Sequence, residues 1–249
     1  MRATAMIALT LFGGSIMGGN MAQAAEIKVM ASAAFKEAYL ELVPAFERAT
    51  EHKVTTLFVP SVQMMTRLKG DETVDLVIMS GNSIDELVRL GKLRDRTDLA
   101  ESGIGIAVRA GAAKPDVGSG DALRRALLAA KSIAYSSGPS GVYLGGLFER
   151  MGIADQIKPK IATVKPGEPV GEVVARGEAE IGFQQISEIL PVKGIDFVGP
   201  LPPDIQQITV FSAGLHATAK QPDAARALVK FLTVPEAASV IRKKGMEPA

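Results

Sequence analysis

The sequence predicts an α/β fold made of two lobes that face each other across a cleft. Three observations carry that expectation: strand and helix alternate through the first half, a second α/β stretch follows a polar, Gly-rich crossover, and a later apolar run reads as a returning strand. Residues 27–30 are apolar but for Lys28, with β-branched members, and residues 36–50 follow as an amphipathic helix with Tyr39, Leu42, Val43 and Phe46 on one face. Pro44 predicts a kink or break inside that helix. A strand over 54–59, a helix over 62–69, a strand over 76–79 and a helix over 83–90, closed by Gly91, complete a βαβαβα order. Such an order implies parallel strands with helices on both faces. Residues 104–108 read as one more strand, after which residues 110–120 turn flexible and polar. Asp121 is placed to cap a helix over 122–131. A strand over 132–135, helices over 142–151 and 169–177, and a strand over 180–183 follow. Residues 208–216 read as the return crossing, and helices over 222–232 and 235–244 close the chain. The expected division is residues 26–107 with 209–249 in the first lobe and 108–208 in the second.

Residues 1–25 are set aside as an export leader. Arg2 makes a short basic start, residues 3–17 are apolar and Gly-rich, and Ala22-Gln23-Ala24 offers the small-x-small pattern that a signal peptidase reads. Cleavage near Ala24 or Ala25 would leave a mature chain that starts on its first strand and works in the periplasm. No Cys follows the cleavage site, so no lipid anchor is expected, and no later stretch reaches the roughly 18–20 apolar residues that span a bilayer. The 249 residues carry 28 Lys and Arg against 27 Asp and Glu, and losing Arg2 balances them. That balance argues against nucleic acid or an anionic membrane surface as partner. The absence of Cys excludes a disulfide framework, thiolate metal sites and a Cys nucleophile. The two histidines, His52 and His216, have no metal-ligand spacing and read as surface residues. No metal or other cofactor is expected, and the chain is expected to be a monomer.

Function is signalled by small hydroxyl-rich loops between strands and helices: Ser32-Ala33-Ala34, Ser61-Val62-Gln63, and Ser136 through Gly141. A helix start leaves N–H groups without partners and carries the positive end of the helix dipole, so such loops can grip an anion through neutral donors. In open parallel sheets ligands sit beyond the carboxyl ends of the strands, where all three loops fall. The candidate ligand residues are Ser32, Ala33, Ser61, Ser80, Ser136, Ser137, Ser140, Gly141, Tyr143 and Gln184. Gly138 and Gly141 permit close backbone approach, and Ser140 is placed to cap the next helix.

Several segments in order resemble the periplasmic type 2 solute-binding proteins, and among them the molybdate-binding-protein-like branch. Residues 27–35 look like that family's opening strand and anion loop, Phe46-Glu47-Arg48-Ala49-Thr50 like its end-of-helix signature, and Val74-Asp75-Leu76-Val77-Ile78 like the approach to a third loop. Residues 177–183 look like the second-lobe strand that reaches the cleft. The resemblance covers nearly the whole mature chain. It implies the two-lobed periplasmic-binding-protein fold (type 2), each lobe a mixed, mostly parallel sheet flanked by helices, and a membrane component of an ABC transporter as partner. Ala34 stands where the molybdate binders carry a ligand Ser, and a metal oxyanion would lose one donor there. Residues 181–188 and 194–202 are similar to a subgroup whose characterised enzyme is aconitate isomerase.

Two readings follow. In one, the cleft captures a small organic anion, a di- or tricarboxylate such as aconitate, and closes around it. In the other, the same cleft isomerises aconitate between its trans and cis forms by allylic proton transfer. The second needs a base, and the loops supply no Asp, Glu or His; Lys36, Tyr143 or a group outside them such as Glu188 would have to serve. Capture of molybdate or tungstate is the third reading.

Overall fold

The computed structural model describes residues 24–249, so the expected leader lies outside the described residues except for Ala24 and Ala25. The strands are β1 (Glu26–Ala31), β2 (Lys53–Phe58), β3 (Leu76–Ser80), β4 (Leu93–Ser102), β5 (Ile104–Arg109), β6 (Ile133–Tyr135), β7 (Ile181–Gln185), β8 (Ile195–Pro200), β9 (Thr209–His216) and β10 (Glu247–Pro248). The helices are α1 (Lys36–Thr50), α2 (Ser61–Lys69), α3 (Gly81–Arg89), α4 (Gly120–Ala129), α5 (Pro139–Arg150), α6 (Ala154–Ile157), α7 (Val170–Ala175), α8 (Ile186–Ile189), α9 (Pro222–Leu232) and α10 (Pro235–Lys243). Among the described residues no helix is long and apolar enough to cross a membrane.

The strands form two mixed sheets. The first runs β10-β4-β9-β3-β1-β2, with β1 to β4 sharing one direction and β9 and β10 opposing it. The second runs β6-β7-β5-β8, with only β5 reversed. Every residue of β3 is buried, as befits a central strand covered on both faces. One face of the first sheet packs on α1, α9 and α10 through Tyr39, Phe46, Leu228 and Ile241; the other packs on α2 and α3 through Met64, Leu68, Ile84 and Leu87. The second sheet is likewise covered on both faces, by Leu123, Leu144 and Phe148 on one side and Val170, Val173 and Val174 on the other.

β5 departs from the expected division. It was expected to close the first lobe, yet it pairs with β7 and β8, so the crossing falls at Gly103. The two crossings lie side by side: Gln206 accepts the Ile104 N–H at 2.9 Å and donates to the Ile104 carbonyl at 3.0 Å, and the Gln185 side chain meets Thr209 Oγ1 at 3.0 Å. Three strands, β4, β8 and the short β10, had no counterpart in the sequence reading.

Three local expectations are corrected. Of the kink or break expected at Pro44, the break does not occur, and α1 is one helix from Lys36 to Thr50. Pro44 and Leu40 lie on its exposed face, where the carbonyl that loses its N–H partner can turn to water. Ser119, not Asp121, caps α4, its Oγ accepting the Ala122 N–H at 3.1 Å; Asp121 sits in the first turn instead. Both histidines are buried: His52 Nδ1 takes the Ala25 N–H at 3.1 Å, and His216 Nδ1 lies 3.1 Å from Thr218 Oγ1.

Asp75, at the entry to β3, is a buried tie point. Its Oδ2 accepts the Lys28 N–H at 2.8 Å, and its Oδ1 accepts the N–H groups of Lys220 and Gln221 at 2.7 and 2.8 Å. One carboxylate thus joins β1 and β3 to the turn that launches α9.

Candidate functional site

The carboxyl ends of β1, β2, β6 and β7 open on a cavity of about 590 Å³ between the two sheets. Five helical segments begin on its wall, with N-cap residues Ser32, Pro60, Gly138, Pro169 and Gln185. None of the five has a side-chain cap, a feature they share with α6, α9 and α10 away from the cavity. At α7 and α8 the first N–H is taken from elsewhere, Val170 N–H by Gln184 Oε1 and Ile186 N–H by the Gly103 carbonyl, both at 2.9 Å. At the other starts the first N–H groups have no side-chain cap, and the dipoles favour negative charge.

Of the candidate ligand residues, Ser32, Ala33, Ser61, Ser136, Ser137, Ser140 and Gln184 line the cavity. Ser32 is 4 % exposed and its Oγ has no hydrogen-bond partner. Such a group is costly to leave unpaired, so a ligand acceptor in the cavity would satisfy it. Ser136 Oγ accepts the Gly138 N–H at 3.3 Å and lies 3.5 Å from Ser140 Oγ. Ser140 sits inside the first turn of α5 and is not its cap.

Three expected ligand residues lie elsewhere. Ser80 and Tyr143 open on an adjoining cavity of about 530 Å³ that shares Ser61, Ser137, Gly138 and Pro139 with the first. Ser80 Oγ donates to Ser83 Oγ at 3.0 Å, and Tyr143 Oη donates to the Ile205 carbonyl at 2.8 Å. That bond turns the Tyr143 hydroxyl to the Ile205 carbonyl, and Tyr143 does not line the larger cavity. Gly141 is packed against the loop's own backbone, where a Cβ would overlap the Ser136 carbonyl. Its role is to let α5 start tight against the Ser loop. Lys36 does line the cavity, with its Nζ 5.6 Å from the Phe58 ring centroid.

The sequence reading placed no helix at α8 and did not single out Ser187; Glu188 was named there only as a possible base outside the loops. This one-turn helix leaves β7, packs against the 3₁₀ turn Ala33–Phe35 of the facing lobe, and brings Ser187 and Glu188 to the cavity wall. Ser187 is 2 % exposed and its Oγ, like that of Ser32, has no partner. Each lobe therefore presents one buried, unsatisfied hydroxyl. Glu188 Oε1 accepts from Gln184 Nε2 at 2.8 Å, and burial pushes its pKa up to about 7 against the opposing effect of that hydrogen bond. Glu188 is thus poised to take and return a proton near neutral pH. Lys165 and Lys193 also line the cavity, as do Glu168, held by Arg176 at 2.8 Å, and Glu172. The available signal was the Ser-Glu pair two residues beyond the end of a cleft strand.

Residues 27–247 match the family model described as bacterial extracellular solute-binding protein. The aconitate isomerase of a Pseudomonas species is 41 % identical over 230 residues, which cover 89 % of this chain and 87 % of that one. The molybdate-binding protein ModA of Rhodobacter capsulatus is 27 % identical over 226 residues, covering 90 % and 89 %. The periplasmic molybdate-binding protein of Azotobacter vinelandii superimposes with a TM-score of 0.74 at 18 % identity, covering 88 % of this chain and 98 % of that one. The fold, the interlobe cavity and these matches together place the chain in the bacterial extracellular solute-binding protein family, in its type 2, molybdate-binding-protein-like branch.

Proposed function

We propose that the cleft binds a small unsaturated polycarboxylate of the aconitate class and shifts its double bond by allylic proton transfer, with Glu188 as the base. The observation that carries this reading is the Glu188 carboxyl on the wall of a cavity that two buried, unpartnered hydroxyls, those of Ser32 and Ser187, also line. Burial, which pushes its pKa up, supports it. The likeness to an aconitate isomerase supports it. Ser32 and Ser187 hydroxyls and the uncapped helix starts would hold substrate carboxylates from both lobes. Glu188 would take a proton from the methylene carbon that is both allylic and adjacent to a carboxylate. The C–H electron pair enters the allylic system, and the developing negative charge spreads onto carboxylate oxygens facing those donors. Return of the proton to the former vinylic carbon completes the shift, with the new double bond at the former methylene carbon and no net change in oxidation state.

Ala34, buried and on the cavity wall, supplies no hydroxyl, which disfavours a tetrahedral metal oxyanion. The family match and the two-lobed cavity favour a second reading, capture of the same anion without turnover for delivery to an ABC-transporter membrane component. Either role would be carried out in the periplasm after removal of the leader. Incubating the mature protein with trans-aconitate and following cis-aconitate by chromatography separates the two. Steady accumulation of cis-aconitate is expected. Saturable binding by calorimetry with no conversion would leave only capture, and binding of molybdate in place of any tricarboxylate would overturn both.

A further inference from the structure

We infer that Gln184 is a positioning residue that holds Glu188 in its proton-accepting orientation, and not the ligand contact its place at the end of a cleft strand suggests. This rests on Glu188 being the base. Gln184 Oε1 accepts the Val170 backbone N–H at 2.9 Å, and since that group can only donate, it fixes which end of the amide is the NH₂. The NH₂ then points at Glu188 and donates to Oε1 at 2.8 Å. Glu188 stands on a helix of a single turn, and the Gln184 amide is the hydrogen-bond partner of its carboxyl. The amide ties it to β7 and to the first residue of α7, two elements that also form the cavity wall.

An amide N–H bonds more strongly to a charged carboxylate oxygen than to the oxygen of a neutral acid, and it cannot itself accept or relay the proton. The contact therefore favours the ionised, proton-accepting form of Glu188, against the burial that favours the neutral one. The other charged groups on the cavity wall are Lys36 and Glu37 of α1, Lys165 and Glu168 ahead of α7, Glu172 within it, and Lys193 after α8. Burial and the Gln184 contact, not these charges, are what move Glu188. Gln184 is thus the group that keeps the base usable at neutral pH.

The test is the pH profile of kcat/KM for conversion of trans-aconitate by the wild type, Gln184→Met, Gln184→Asn and Glu188→Gln. In Gln184→Met the acid limb is expected to move up by about one pH unit, a roughly tenfold loss below the limb that is recovered at alkaline pH. Should thermal melting show Gln184→Met to be unfolded, Gln184→Asn carries the same expectation, because its shorter amide cannot span Val170 and Glu188. Lower activity at every pH with an unmoved limb would mean that Gln184 only contacts ligand or packs, and would overturn the inference. Wild-type turnover in Glu188→Gln would remove the base reading and this inference together. Loss of turnover in Glu188→Gln with an unmoved Gln184 limb would remove this inference alone.

Discussion

Glu188→Gln is expected to lower conversion of trans-aconitate by about 10²–10⁴-fold, the usual contribution of a positioned general base. The replacement keeps the shape of the side chain and removes its capacity to take a proton. Binding of a saturated tricarboxylate should survive, since the hydroxyls of Ser32 and Ser187 and the helix starts remain. A second readout follows from the sign of the pKa shift. Burial raises the Glu188 pKa to about 7, so the folded chain holds that proton more tightly than the unfolded chain does. The associated stability is fully present below the ordinary carboxylate range and is lost as pH rises through about 7. Glu188→Gln should therefore melt higher than the wild type above neutral pH and show no such gain near pH 4. Equal turnover by the two proteins, measured by chromatography, would rule out Glu188 as the base.

Asp75→Ala is expected to be the most destabilising single substitution in the first lobe, costing on the order of 4 kcal/mol. The carboxylate is 3 % exposed and accepts three backbone N–H groups, from Lys28, Lys220 and Gln221. Alanine leaves all three donors without partners in a place that water reaches poorly, and each such group costs about 1–3 kcal/mol. The loss also unties the turn before α9, whose Leu228 and Leu232 help fill the core shared with α1. Urea unfolding followed by far-UV circular dichroism reads the change directly. A shift of less than about 1 kcal/mol would mean that the turn finds other acceptors once the carboxylate is gone.

Legibility in the sequence depended on whether a feature was local. α1 and α9 occupy the residues their periodicity and, for α9, the N-terminal Pro222 indicate. β4 escaped because its buried residues are few and scattered among Arg94, Asp95, Arg96 and Asp98, with Asp95 at φ 56° and two register shifts interrupting the alternation. β5 was recognised as a strand but given to the wrong sheet, because an apolar strand carries no mark of its partner. The Ser loops were legible because topology alone puts strand ends at the cleft. Ser80 and Tyr143 misled because the direction of a side chain, and not its place in a loop, decides which cavity it reaches. The Ser-Glu pair just beyond a cleft strand was visible, but its arrival at the cavity depends on α8 packing against the facing lobe, a tertiary fact.

A crystal structure of Glu188→Gln bound to trans-aconitate bears most directly on whether this cleft is an isomerase site. Substrate carboxylates are expected at the Ser32 and Ser187 hydroxyls, with the methylene carbon about 3–3.5 Å from the side chain at position 188. A methylene turned away from position 188, with a carboxylate pointing there instead, would contradict proton transfer by Glu188 and leave a binding protein.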